Sequence, residues 1–547
     1  MPGTNIDTGV RSRGLTPKCT AGTKFCGFDT IPAMVRRTLV AVSALFILGA
    51  CNQSQSVSAI DRLKPCTGYD TPVDAYCGTL KVYENRATKQ GRQIDLNIVV
   101  LPALRSDAQP DPLFFLAGGP GQGAAQLAKP VREIFRRVQN DRDIVLVDQR
   151  GTGKSNPLDC EDHDDSLKVF SRSDEESIAL LKKCLAGYDA DLRFYTTPIA
   201  MDDLDDVRAF LGYDKINIYG GSYGTRAGLV YLRQHGDHVR VAILDGVAPT
   251  NMRLPLFFPR DAQRALDLLT KDCAETAACN AKYPNLHDRL VMLMARLEKD
   301  PPTVPVIHPR TGERGEVTFT ARILANILAS TLYLPIASSL IPALIERAEH
   351  NDVQGLLALA TLGDTGTPNM SVGMQLAVIC AEDAPKITTA DISKQGEGTL
   401  FGPYVMRLQT EACTFWPHGS VDESFYEPVS SSVPTLVMSG EIDPVTPPVW
   451  GESIVKTLSN SKHIVMPGTG HTAGGSGCGM RIIRNFISLG KLDALDTSCV
   501  ANVKRPPFFV TPAGPASAEP PARHAPSGEP ADSAKAPIGK PGAGTVQ

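Results

Sequence analysis

Short apolar runs recur through the middle of the chain, separated by stretches with helical spacing. TLKVYEN (79–85) and IDLNIVVLP (94–102) alternate apolar and polar residues and predict an antiparallel opening. PLFFLA, DIVLVD, INIYG, VAILD, TLVMSG and HIVMPG follow, each apolar and ending at or near glycine, aspartate or alanine. Such runs suit strands covered on both faces. MDDLDDVRAFLG, just before INIYG, has the periodicity of an amphipathic helix. Strands alternating with helices predict an α/β fold with a mainly parallel, doubly wound sheet. In such sheets the working residues gather at the carboxyl ends of the strands. Between VAILD and TLVMSG, residues 249–400 are largely helical in pattern, as in ARILANILASTLYLPIASSLIPALIERA. That is enough chain for a cap inserted over the working edge, dividing the core into 51–248 and 401–504.

The join INIYGGSYGTRAGLVY (216–231) sets Gly220, Gly221 and Gly224 around Ser222 where a strand runs straight into a helix. Gly-x-Ser-x-Gly at such a join is the nucleophile elbow of α/β-hydrolases, a strained turn that presents the serine. A serine nucleophile needs a base and an orienting acid, in the chain order Ser, Asp or Glu, His. Asp443, in SGEIDPVTPP, and His471, in PGTGHTAGG, each follow a strand and fit that order. An imidazole takes the serine proton near neutral pH, and the carboxylate fixes its tautomer. Asp245, at the end of VAILD, is the alternative acid, and His463 reads as structural. LAGGPGQG (116–123) is the glycine loop that faces a substrate carbonyl, which nominates the backbone N–H groups of Gly119 and Tyr223 as oxyanion donors. GTGKS (151–155) imitates a phosphate loop, but Asp148 stands where that motif needs glycine.

Composition narrows the setting. The chain has 547 residues, 42% hydrophobic and 21% charged, with net charge −4 and no basic run outside its N-terminal stretch, which argues against nucleic acid. MVRRTLVAVSALFILGAC (34–51) has a basic start, an apolar stretch too short to span a bilayer and small residues before Cys51. We read 34–50 as a lipoprotein-type signal peptide, Cys51 as the lipidated first mature residue, and 1–33 as an upstream extension. The ten cysteines after Cys51 form an even set, as expected of disulfides in an oxidising compartment, and taken in order make five local pairs. No C-x-x-C or H-E-x-x-H occurs, so neither a redox dithiol nor a zinc site is expected. Residues 505–547 read as a tail; from Pro512 on they are rich in Pro, Ala, Gly and Ser, which predicts disorder.

GGPGQG, VDQRGTGKSN, GGSYGT, SGEIDPVTP and GTGHT together resemble the proline iminopeptidase and tripeptidyl aminopeptidase branch of the α/β-hydrolases, over roughly residues 80–500. The resemblance implies Ser222 as nucleophile, Asp443 as acid and His471 as base, with DQRGTGKS bracing the oxyanion loop. It departs from many relatives at Ala117, where they carry histidine. It also suggests that carboxylates in ICAEDAP, Glu382 and Asp383, bind the substrate ammonium. The expectation is an exported, lipid-anchored serine aminopeptidase of the bacterial cell envelope, using no metal or organic cofactor and acting on peptides with a free N-terminus. A carboxylic-ester hydrolase with the same triad is the alternative enzyme. A catalytically dead binding module is disfavoured by the complete triad.

Overall fold

The computed structural model describes residues 59–67, 71–160, 167–366, 370–475, 477–511 and 514–516. These belong to one unit of the chain, Ser58–Gln547. Residues 34–50, read above as a signal peptide, and Cys51 lie outside the described residues, as does the chain beyond 516.

Eleven strands are described. β1 (Lys64–Pro65), β2 (Tyr76–Tyr83), β3 (Gln93–Leu101), β4 (Leu113–Leu116), β5 (Ile144–Val147), β6 (Ile216–Gly221) and β7 (Val239–Asp245) precede the cap. β8 (Thr303–Ile307) and β9 (Arg314–Thr318) lie within it, and β10 (Thr435–Gly440) and β11 (Ser461–Met466) follow. Nine form one sheet in the order β1-β2-β3-β5-β4-β6-β7-β10-β11. The pairs from β1 to β5 through β2 and β3 are antiparallel, and every pair from β5 to β11 is parallel. All eight runs read as strands from the sequence take their places in this sheet.

The parallel strands are apolar on both sides because both faces are covered. Helices Thr197–Leu211 and Tyr223–His235 pack on one face through Leu204, Val207, Leu229 and Val230. Helices Ala128–Gln139 and Gly477–Leu489 cover the other through Phe135, Ile482, Ile483 and Phe486.

The cap has its own core, running from Leu266 and Leu269 through Leu324, Leu328 and Ile345 to Leu357. It is not all helix: β8 and β9 form an antiparallel hairpin whose side chains alternate exposed and buried. It also extends past 400, since helix Tyr404–Ala412 packs with helix Asp174–Ala186, itself part of an excursion after β5, and with Trp416 and Met374. The tail boundary at 505 also moves. Arg505 pairs with Asp272 at 2.7 Å, Phe508 is buried in the cap core and the Phe509 N–H donates to Ser339 O, so residues 505–510 belong to the fold.

Five disulfides pair the cysteines in chain order: 66–77, 160–184, 273–279, 380–413 and 478–499. Each closes a short loop, within which cross-linking removes freedom from the unfolded chain. Among the described residues no helix is long and apolar enough to cross a membrane.

Candidate active site

Ser222 follows β6 directly and has φ 56° and ψ −126°, a conformation costly for a residue with a side chain. Its surroundings explain the glycines. A Cβ on Gly220 would lie 2.2 Å from Gly224 O, and one on Gly224 would lie 2.2 Å from Leu116 O on β4. Gly221 has nothing nearer than 3.7 Å, so close approach requires the two outer glycines and not the middle one. The turn is fixed by Ser222 N–H donating to Asp245 O at 2.9 Å and by Thr225, whose N–H and Oγ1 both donate to Ser222 O.

Asp443 follows β10 and is fully buried. Its Oδ1 accepts from the N–H groups of Val445 (2.9 Å) and Thr446 (2.8 Å). Its Oδ2 accepts from Thr446 Oγ1 and from His471 Nδ1, both at 2.8 Å. Burial works against the Asp443 charge, but His471 and these N–H donors outweigh it and hold the carboxyl below its ordinary value. For His471, burial likewise disfavours the charge, and the attraction of Asp443 raises the imidazole above its ordinary 6.5. With Nδ1–H committed to Asp443, Nε2 is the nitrogen left to take a proton.

Asp245, the alternative acid, does something else. It accepts from the N–H groups of Ala473 and Gly474, each at 2.7 Å, and from Tyr219 Oη at 2.8 Å, anchoring the loop behind His471. His463 bonds Ser439 Oγ at 3.0 Å, away from this group.

Ser222, Tyr223, Gly119, Thr446 and His471 line one cavity of about 500 Å³. Its walls are largely apolar, with Phe115, Ile134, Phe135, Leu254, Phe258 and Ile379 among them, and among the described residues that line it none is Asp, Glu, Lys or Arg. Tyr223 is the first residue of its helix, so its N–H has no partner within that helix. The Gly118 backbone lies against Ser222, where an added Cβ would meet Ser222 Cβ at 3.3 Å. The loop is also strapped to the cap: Ser371 N–H donates to Gly121 O at 2.9 Å, and Gln122 forms a bridge with Met370. From behind, Asp148 accepts from Ala125 N–H (2.8 Å), Lys154 N–H (3.0 Å) and Asn97 Nδ2 (2.8 Å). The GTGKS turn thus wraps a carboxylate where a phosphate loop would wrap a phosphate.

The expectation for Glu382 and Asp383 is corrected. Neither lines the cavity, and their side chains are 0% and 1% exposed. Arg226, itself 0% exposed and on the helix after Ser222, donates to Asp383 Oδ2 at 2.9 Å and Oδ1 at 3.1 Å, and to Glu382 Oε2 at 3.4 Å. Thr197 N–H and Oγ1 donate to Glu382 at 2.6 and 2.9 Å, and Leu254 N–H donates to Asp383 at 2.9 Å. These carboxylates pin the cap to the elbow helix, and their oxygens are already taken.

Two contributors escape sequence reading. Thr446 touches both Asp443 and His471, its Oγ1 lying 3.1 Å from His471 Nδ1. The signal was present in Asp443-Pro-Val-Thr446, where an aspartate caps the backbone two and three residues on. Tyr333 comes from the cap: its carbonyl accepts His471 N–H at 3.1 Å and its ring meets the imidazole edge-on at 5.0 Å. Nothing local in the sequence marks it.

A strained serine at a strand–helix elbow, beside a carboxylate-bound imidazole on a parallel sheet of this order, defines a serine hydrolase of the α/β-hydrolase fold. Comparison with known proteins agrees: a model of the alpha/beta hydrolase fold matches residues 111–280, and one of TAP-like proteins matches 398–499. The serine protease Hip1 of Mycobacterium tuberculosis is 28% identical over 438 residues, 73% of this chain and 82% of that one. A tripeptidyl aminopeptidase of Streptomyces lividans is 28% identical over 249 residues, 42% and 46% of the two chains. A proline iminopeptidase of Neisseria gonorrhoeae is 28% identical over 138 residues, 25% and 32%. The chain is thus an α/β-hydrolase similar to these serine peptidases and aminopeptidases.

Proposed function

We propose that the protein is an exported serine aminopeptidase that releases residues or short peptides from peptide N-termini through an acyl-enzyme. Ser222 Oγ attacks the scissile carbonyl while its proton passes to His471 Nε2. Asp443 holds the ring and offsets the imidazolium charge. The Gly119 and Tyr223 N–H groups receive the oxyanion. The proton then goes to the leaving amine, and water repeats the sequence to free the acyl group. The 2.8 Å Asp443–His471 bond, beside a cavity that also holds Ser222, carries this reading. The cap supports exopeptidase action by narrowing access, and the relatives' names supply the peptide substrate. The five disulfides and the apolar run before Cys51 support export and lipid anchoring to the cell envelope.

One observation favours the ester-hydrolase alternative: the cavity is mainly apolar and, among the described residues, no carboxylate lines it to hold an ammonium. The same assay separates the two. Peptidyl-fluorophores with free and acetylated N-termini are compared with p-nitrophenyl esters. The aminopeptidase reading requires free-amine peptides to be turned over well above their acetylated forms. Ester turnover without any peptide turnover contradicts it.

A further inference from the structure

Gln375 and Gln409, in the wall of the cavity over Ser222, also line a second cavity of about 190 Å³. It lies between helix Asp174–Ala186 and the pair Val372–Val378 and Tyr404–Ala412. Its walls include Leu180, Leu181, Leu376 and Leu408. The two cavities therefore meet at the glutamine pair. The Cys380–Cys413 disulfide ties together the segments that carry those glutamines. The glutamine amides are polar and uncharged, which suits a peptide backbone. The leucine walls suit an apolar side chain.

We propose that the acyl portion of a peptide substrate passes the Gln375–Gln409 pair and seats one apolar side chain in the second cavity. This subsite rests on the peptidase reading and deepens it. It makes the enzyme selective at an acyl-side position beyond the residue next to the scissile bond.

The test is a positional scan of free-amine peptidyl-fluorophores with the full enzyme. At one such position leucine or phenylalanine should exceed aspartate about tenfold or more in kcat/KM. Ser177→Trp, which fills the second cavity from helix Asp174–Ala186, should erase that preference. Leu181→Phe is the second blocking variant if the first fails to fold. Gln409→Leu should lower the peptide-to-acetate-ester ratio of kcat/KM about tenfold, chiefly through KM. A preference that survives both folded blocking variants overturns the proposal, as does a Gln409→Leu ratio equal to wild type. If the wild type hydrolyses esters alone, the peptidase reading falls and the cavity is judged on acyl length. Ser177→Trp slowing p-nitrophenyl octanoate but not acetate then supports the second cavity as an acyl site, and equal effects refute it.

Discussion

Replacing Glu382 by glutamine should stabilise the protein at pH 8. The carboxyl is fully buried, and burial raises it from 4.5 to about 7 despite the pull of Arg226. Between those values the folded protein keeps a proton that the unfolded chain has released. Stability is therefore lost as the pH rises from about 4.5 to about 7, and the loss is complete above that. The interval corresponds to roughly 3 kcal/mol. Glutamine has no proton to lose, and it can still accept from Thr197 N–H while donating to Thr197 Oγ1, which then donates to Tyr223 Oη. The advantage of E382Q should thus grow from near zero at pH 4.5 to about 3 kcal/mol at pH 8. In a chain of this size that is a rise in Tm of about 3 °C. Calorimetry across that pH range is the assay, with kcat/KM on free-amine peptides and acetate esters measured in parallel. Equal destabilisation at both pH values would contradict a buried, raised Glu382 carboxyl. So would a selective loss on free-amine peptides, which would return Glu382 to the substrate.

Three further outcomes follow from the site. Activity needs neutral His471, whose imidazole is raised by Asp443 even though burial opposes it, so kcat/KM should fall on acidification with a midpoint above 6.5; a midpoint below 6.5 contradicts this. Thr446→Val removes a donor to Asp443 Oδ2 and should lower kcat about tenfold with little change in KM, read by steady-state kinetics. Gly224→Ala should yield little folded protein because its Cβ meets Leu116 O at 2.2 Å, whereas Gly221→Ala should fold, with circular dichroism distinguishing them.

The sheet was readable because its strands are buried on both faces and leave unbroken apolar runs such as Ile144–Val147 and Thr435–Gly440. The elbow and the Asp443–His471 pair were readable because each sits at a strand end, where chain order and glycine spacing are local signals. The β8–β9 hairpin alternates clearly, as TVPVI shows, but it sits inside helical sequence and escaped notice. Glu382 and Asp383 were misread because Arg226, which neutralises them, lies 156 and 157 residues earlier and marks itself by no pattern. Tyr333 was invisible for a similar reason: it acts on His471 partly through a backbone carbonyl, which any residue could supply.

Ser222 as the nucleophile is tested by labelling the folded protein with a fluorophosphonate and locating the adduct by intact mass and peptide mapping. One adduct is expected, on Ser222, with parallel loss of activity, no labelling of Ser222→Ala, and labelling of His471→Ala slowed about 10³-fold or more. Full turnover by Ser222→Ala, or an inactivating adduct on another residue, would contradict it.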